Sequence, residues 1–128
     1  MKKVLIIDDD DIFEFLTKEF ITEHYPQFEV KSYLSSVEGL EFLKTALKNE
    51  AERPDVLLLD IRMPEMDGFE LLHELEADFK PADILPMKIF LLTSSLDSND
   101  YRRSIETPMV SGFIGKPLDV EQLKRIFE

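Results

Sequence analysis

Residues 55–60 read DVLLLD: four apolar side chains held between two aspartates. The run shows no polar alternation, so both faces of this extended segment must be buried, as at the centre of a parallel sheet. A second run of the same kind lies near the N-terminus. Residues 4–13 read VLIIDDDDIF, an apolar strand that ends in four consecutive aspartates. Two adjacent carboxylates about 5 Å apart repel by roughly 3 kcal/mol at an effective dielectric near 20. Such groups either all face water or gather around a positive charge.

Outward from these strands, short apolar runs alternate with longer segments of helical period. Val4–Ile7 reads as the first strand, and Asp11–His24 as a helix with Ile12, Phe13, Leu16, Phe20 and Ile21 on one stripe. Pro26 ends that helix, and Phe28–Leu34 reads as the second strand. Ser35 or Ser36 caps a helix to about Asn49, with Val37, Leu40, Leu43 and Leu47 spaced toward a core. NEAERP at 49–54 is a polar loop, and DVLLLD is the third strand. Past IRMPEMDG, where Asp67 and Gly68 read as turn and cap, a helix runs from about Phe69 to Asp78. FKPADILP at 79–86 is a long loop with two prolines. MKIFLLTS is the fourth strand, followed by a helix near Ser98–Glu106. MVSGFIG is the fifth, followed by a last helix near Asp119–Phe127. Five strands alternating with five helices predict an α/β fold, a doubly wound parallel sheet with helices on both faces. No repeat, low-complexity run or linker divides it, so residues 1–128 read as one domain.

The bulk composition agrees and removes several function classes. A chain of 128 residues holds one hydrophobic core. Fifteen basic and 27 acidic residues give a net charge of −12, which disfavours nucleic acid and anionic membrane. The absence of cysteine excludes disulfides, thiolate nucleophiles and cysteine-ligated zinc. The N-terminal apolar run is too short for a signal peptide or membrane span, so a cytoplasmic protein is expected.

In doubly wound sheets, ligands bind beyond the carboxyl ends of the strands. At those ends stand Asp8 and Asp9, Asp60, Thr93 with Ser94 and Ser95, and Lys116. Carboxylates converging on one rim raise each other's pKa unless a cation compensates. An oxygen-only donor set without His or Cys points to a hard cation, Mg²⁺ ahead of zinc. A hydroxyl at Thr93 and an ammonium at Lys116 suit the oxygens of a phosphoryl group, and a carboxylate can accept that group as an aspartyl phosphate. The rim thus suggests reversible phosphorylation of one aspartate.

With these motifs the whole chain resembles the receiver domains of two-component response regulators, of the stand-alone chemotaxis-regulator type. LIIDDDD is similar to the family's acidic pair after the first strand, with Asp8 and Asp9 in the metal positions; the run of four aspartates leaves the register open by one. LLLDIRMPEMDG matches the phosphorylation segment. The resemblance implies Asp60 as phosphoacceptor and the backbone carbonyl of Arg62 as a further Mg²⁺ ligand. FLLTSS places Thr93 as the switch hydroxyl. GFIGKPL places Lys116 before Pro117, where the family often has a cis peptide bond, and Phe113 at the aromatic switch position. It further implies a flavodoxin-like fold of strand order 2-1-3-4-5, with a sensor histidine kinase or histidine phosphotransfer protein as donor. A downstream protein would dock on the face of the fourth helix, fifth strand and fifth helix. The domain would be a phosphoacceptor and not an enzyme, beyond self-phosphorylation from small donors and autodephosphorylation. Arg62 and Ser95 lie two residues after the phosphoacceptor and the switch hydroxyl, positions that tune dephosphorylation in this family. A cation at 62 could slow water's approach or pair with the phosphate. With no output domain after Glu128, a stand-alone receiver is expected over a transcription factor.

Plainer readings stand beside these. Asp10 or Asp11 suits a helix cap, Thr93 and Ser94 suit loop hydroxyls, and Lys116 alone suits a solvated lysine. Phe113, Met63 and Met66 suit packing roles. His24 and His73 suit the surface, and YRR at 101–103 and LKR at 123–125 suit solvated helix faces. Two other functions fit parts of the sequence. DDDDIF also fits the Asp-x-Asp motif of haloacid-dehalogenase-type phosphatases, with Asp8 as nucleophile and Asp10 as acid/base. That family's later Gly-Asp-x-x-x-Asp segment is missing, and Asp60 would lose its purpose. A non-phosphorylated binding module on the same fold is the third possibility. Flavin carriage would need a Ser/Thr/Gly-rich phosphate loop where this chain has bulky acids.

Overall fold

A computed structural model describes residues 2–95 and 97–128. Five parallel strands, β1 (Lys2–Ile7), β2 (Phe28–Tyr33), β3 (Val56–Asp60), β4 (Lys88–Thr93) and β5 (Val110–Gly115), form one sheet in the order β2-β1-β3-β4-β5. The helices are α1 (Asp11–His24), α2 (Ser36–Ala46), α3 (Gly68–Asp78), α4 (Pro81–Ile84), α5 (Ser98–Ile105) and α6 (Val120–Phe127). The doubly wound, flavodoxin-like α/β architecture expected from the sequence is the one observed.

β3 is the strand that organises the sheet. All five of its residues are buried, and it pairs with β1 through Val4 opposite Val56 and with β4 through Asp60 opposite Leu92. Its side chains alternate between two cores, as the period of a strand requires. Leu57 and Leu59 join Leu5, Ile7 and Leu91 beneath α2 and α3. Val56 and Leu58 join Val4, Ile6, Leu92 and Ile114 beneath α1 and α6.

Several local expectations need correction. The proline-bearing loop at 79–86 contains the one-turn helix α4, so among the described residues six helices replace five. Of the expected α1 stripe, Phe13 and Ile21 are buried, but Ile12 and Leu16 are 69% and 62% exposed, and Thr17 is buried with the other two. The sheet accepts only a narrow stripe of α1, and the flanking apolar positions face solvent. Val37 also sits near the surface. α2 ends at Ala46, because Lys48 and Asn49 donate to Thr45 and Ala46 in tight turns that break the helical pattern. β1 begins two residues earlier than expected, pairing Lys2 with Phe28. The Lys116–Pro117 peptide bond is cis, as the resemblance implies, and Leu85–Pro86 is cis as well.

α5 departs from the other long helices. Its one buried residue is Asp100, while Tyr101 and Ile105 are 61% and 79% exposed. Its sequence, SNDYRRSI, offers too few apolar side chains to bury a face. What fastens it to the domain is mostly polar.

Candidate functional site

The carboxyl ends of β1, β3, β4 and β5 meet at one edge of the sheet, and each delivers a polar side chain there. Asp8 follows β1 and is fully buried. Its backbone N–H donates to the Tyr33 carbonyl (3.2 Å), and its Oδ1 accepts from the Asp10 backbone N–H (2.9 Å). Asp60 ends β3 and is 6% exposed. Lys116, just past β5, reaches both: its Nζ lies 2.6 Å from Asp8 Oδ2 and 3.3 Å from Asp60 Oδ1. The ammonium also sits 4.5 Å above the Phe13 ring, which closes that side of the site.

Asp9 completes the acidic group. Carboxylate oxygens of Asp8, Asp9 and Asp60 all lie within 4.8 Å of one another. The cost shows at Asp60, whose pKa is pushed up to about 7 by burial first and by the charge of Asp8 second, against the opposing pull of Lys116. Lys116 is pushed down by burial, but its bond to Asp8 and the charges of both aspartates outweigh that and hold it above the usual range. One ammonium therefore bridges two carboxylates, with that of Asp9 a third negative charge beside them. Asp8 Oδ2, although beside Lys116 Nζ, has no partner in hydrogen-bonding orientation. An oxygen-only trio with an incompletely satisfied buried carboxylate fits a hard divalent cation.

The four-aspartate run divides by role. Asp10 is the N-cap of α1 and accepts from the backbone N–H groups of Ile12 and Phe13 at 3.0 and 3.1 Å. This turns its carboxylate toward the helix start, and Asp11 lies in the first turn. Asp8 and Asp9 are the two of the four whose carboxylates gather with Asp60. Thr93 ends β4, 8% exposed, with Oγ1 donating to the Ser95 carbonyl (2.6 Å) and accepting the Ser95 N–H (3.1 Å). Ser94 and Ser95 are exposed. Phe113 is half-buried in β5 and faces the Tyr101 ring of α5 with centroids 6.1 Å apart. Met63 is buried and Met66 packs on the core, while His24 and His73 are exposed.

The basic clusters are not simply solvated. Arg103 makes a forked pair with Asp67 (3.0 and 3.1 Å) while stacking on Phe69, and Arg125 Nη1 donates to the Phe113 carbonyl (3.0 Å). The Arg62 guanidinium extends to α5, 2.6 Å from Asp100 Oδ2 and 3.4 Å from Asp97 Oδ2. The sequence reading singled out neither Asp97 nor Asp100. The signal was present as D-S-N-D at 97–100, an acidic residue at N-cap and at N3, which is capping-box spacing.

Comparison with known proteins points the same way. A family model described as the response regulator receiver domain matches residues 4–128. The chain is 28% identical over 124 residues to sporulation initiation phosphotransferase F of Bacillus subtilis, covering 96% of this chain and 88% of that one. It is 32% identical over 120 residues to hybrid signal transduction histidine kinase D of Dictyostelium discoideum, covering 94% of this chain but 7% of that protein. Against a C4-dicarboxylate response regulator of B. subtilis it spans half the relative's length. Among solved structures, a two-component response regulator from Cytophaga hutchinsonii superposes with a TM-score of 0.87 at 29% identity, over 99% and 94% of the two chains. One from Legionella pneumophila gives 0.81 at 25%, over 99% and 95%. With the family match spanning nearly all of its length and the acidic rim in place, the chain belongs to the response regulator receiver domain family of two-component signalling.

Proposed function

We propose that Asp60 accepts a phosphoryl group from a phosphohistidine on a sensor histidine kinase or histidine phosphotransfer protein. The observation that carries this reading is the meeting of Asp60, Asp8, Asp9 and Lys116 at one end of the sheet. An Asp60 carboxylate oxygen attacks phosphorus, and the phosphorus–nitrogen bond of the donor breaks. The electron pair stays on the imidazole nitrogen, and the ring leaves neutral because its other nitrogen carries the proton. Asp8, Asp9, Asp60 and the backbone carbonyl of Arg62 would hold Mg²⁺, which when bound supplies positive charge that favours ionised Asp60 and offsets charge on the group in transfer. Lys116 supplies the same help from the protein side.

Thr93 couples the site to the surface. Its hydroxyl spends its proton on Ser95 in the unmodified protein, and a phosphoryl oxygen is a stronger acceptor. Turning Thr93 inward frees volume for Phe113, which rests against Tyr101, and shifts the face made by α5, β5 and α6. Tyr101, Ile105 and Val120 are exposed on these helices and offer apolar contact to a downstream protein. The donor has a different surface: Ile12, Phe15 and Leu16 stand exposed on α1 beside the acidic edge. On this reading the domain is a cytoplasmic signalling phosphoacceptor and not a turnover catalyst. Among the described residues no helix is long and apolar enough to cross a membrane.

The test is incubation with acetyl phosphate and Mg²⁺, then mass spectrometry of intact protein and of borohydride-trapped peptides. A phosphoryl adduct mapped to Asp60 and absent in Asp60→Asn is expected. Label retained by Asp60→Asn but lost in Asp8→Asn would favour the haloacid-dehalogenase-type phosphatase. No adduct in folded protein with metal present would favour a non-phosphorylated binding module.

A further inference from the structure

We propose that Arg62 is a phosphoryl ligand stored on α5: phosphorylation of Asp60 draws its guanidinium off Asp100 and so unfastens that helix. The inference rests on Asp60 being the phosphoacceptor. Arg62 follows Asp60 by two residues, so their Cα atoms are at most about 7 Å apart, within the reach of an arginine side chain. In the unmodified protein that side chain points to the start of α5. Its Nη2 is 2.6 Å from Asp100 Oδ2 and 3.4 Å from Asp97 Oδ2. These two carboxylates are the N3 and N-cap residues of the α5 capping box, joined by Asp100 N–H to Asp97 Oδ1 at 2.8 Å and Asp97 N–H to Asp100 Oδ2 at 3.3 Å. Arg62 therefore ties down the first turn of α5 and not a surface position further along it.

Two properties make this tie switchable. α5 buries no apolar residue, and the side chain it does bury is Asp100, 1% exposed, with Oδ1 lacking any partner. The helix is thus held by Arg62 at its start and by the Arg103–Asp67 fork further along, a fastening that responds to charge. The Arg62 side chain is 57% exposed, so water surrounds much of it beside its pairs with Asp100 and Asp97, while the flanking backbone is pinned by Ile61 N–H to the Leu92 carbonyl (3.1 Å) and Gly68 N–H to the Ile61 carbonyl (2.8 Å).

A phosphoryl group on Asp60 places up to two negative charges and three acceptor oxygens near this guanidinium, and arginine meets such a group in forked geometry. Asp97 is exposed and competes weakly. Asp100 loses its cation in the exchange, and a buried carboxylate without one drives the first turn of α5 outward until water reaches it. This route to the α5 surface runs beside the one through Thr93 and Phe113 and depends on different residues.

The experiment compares amide hydrogen exchange of Tyr101–Ile105 in the free protein and in its beryllofluoride adduct with Mg²⁺, the adduct at Asp60 being checked by fluorine NMR. In the unmodified sequence, adduct formation should speed exchange in this helix about tenfold. Arg62→Gln and Asp100→Asn should exchange fast without the adduct and gain less than about twofold from it. Arg62→Lys, which keeps the charge, should restore a response. An adduct that leaves α5 protection unchanged, or an Arg62→Gln protein that responds as fully as the parent, overturns the proposal while leaving the phosphoacceptor reading intact. Failure to form any adduct at Asp60 in folded protein overturns both.

Discussion

Asp60 carries opposite demands at the scale of a single residue. As the proposed phosphoacceptor it must be ionised to attack phosphorus, yet its burial and the charge of Asp8 hold its pKa at about 7. In the unfolded chain the group returns to the ordinary aspartate value near 4. The metal-free fold therefore binds this proton more tightly than the unfolded chain does. The stability so gained is fully present below pH 4 and is lost as pH rises through 7. Asp60→Asn removes the penalty, so in EDTA at pH 8 the variant should be more stable than the parent by about 1–3 kcal/mol, with the gain fading toward pH 4. Urea melts at the two pH values check the sign. Lys116→Met tests the other partner, because it leaves two buried carboxylates without their ammonium. A loss of about 2–5 kcal/mol is expected at pH 8, part of it recovered when Mg²⁺ is added.

At the scale of elements, the start of α3 is fitted against the end of β3 with no slack. A Cβ on Gly68 would lie 2.6 Å from the Asp60 carbonyl oxygen and 3.2 Å from Ile61 Cα, both backbone atoms that cannot swing aside. Gly68→Ala should cost about 1–3 kcal/mol and displace Asp60 enough to slow adduct formation, which chemical denaturation and the acetyl phosphate assay read separately. α1 presents the opposite case. Its exposed Phe15 and Leu16 support nothing beneath them, so Leu16→Glu should change stability by less than about 0.5 kcal/mol. If this face receives the donor, transfer from a phosphohistidine protein should fall by roughly tenfold or more while phosphorylation by acetyl phosphate is unchanged.

At the scale of the molecule, one strand separates two cores and carries Asp60, the proposed phosphoacceptor, at its tip. Leu57, Leu58 and Leu59 are fully buried, alternately beneath the two helical layers. Leu58→Ala should lower stability by about 3–5 kcal/mol and, through β3, weaken metal binding at the far end. Calorimetry with and without Mg²⁺ would show both effects in a single transition if the cores unfold together. The division of labour among the helices follows from the same layout. α1, α2, α3 and α6 are seated by apolar side chains, whereas α5 is seated by arginine–carboxylate pairs. α5 can therefore shift without opening either core.

Except for the one-turn α4, the order of elements was legible in the sequence, because β1, β3 and β4 carry continuous apolar runs and the longer helices have a capping residue or a proline at a boundary. The location of the candidate site was legible as well, since Asp8, Asp9, Asp60, Thr93 and Lys116 each end or follow such a run, and a parallel sheet brings all those ends to one edge. Periodicity could not say which apolar residues of α1 meet the sheet, because Ile12 and Phe13 are equally apolar and only the docking angle buries one of them. Nor could it tell which two of four aspartates face Asp60, since that depends on where α1 begins and claims Asp10 as its cap. The pairing of Arg62 with Asp97 and Asp100 spans more than thirty positions and joins the loop after β3 to the start of α5, which meet only when β3 and β4 lie side by side. Local spacing is fixed by the chain's own geometry; contacts between distant charges exist only once the sheet has set the distance between them.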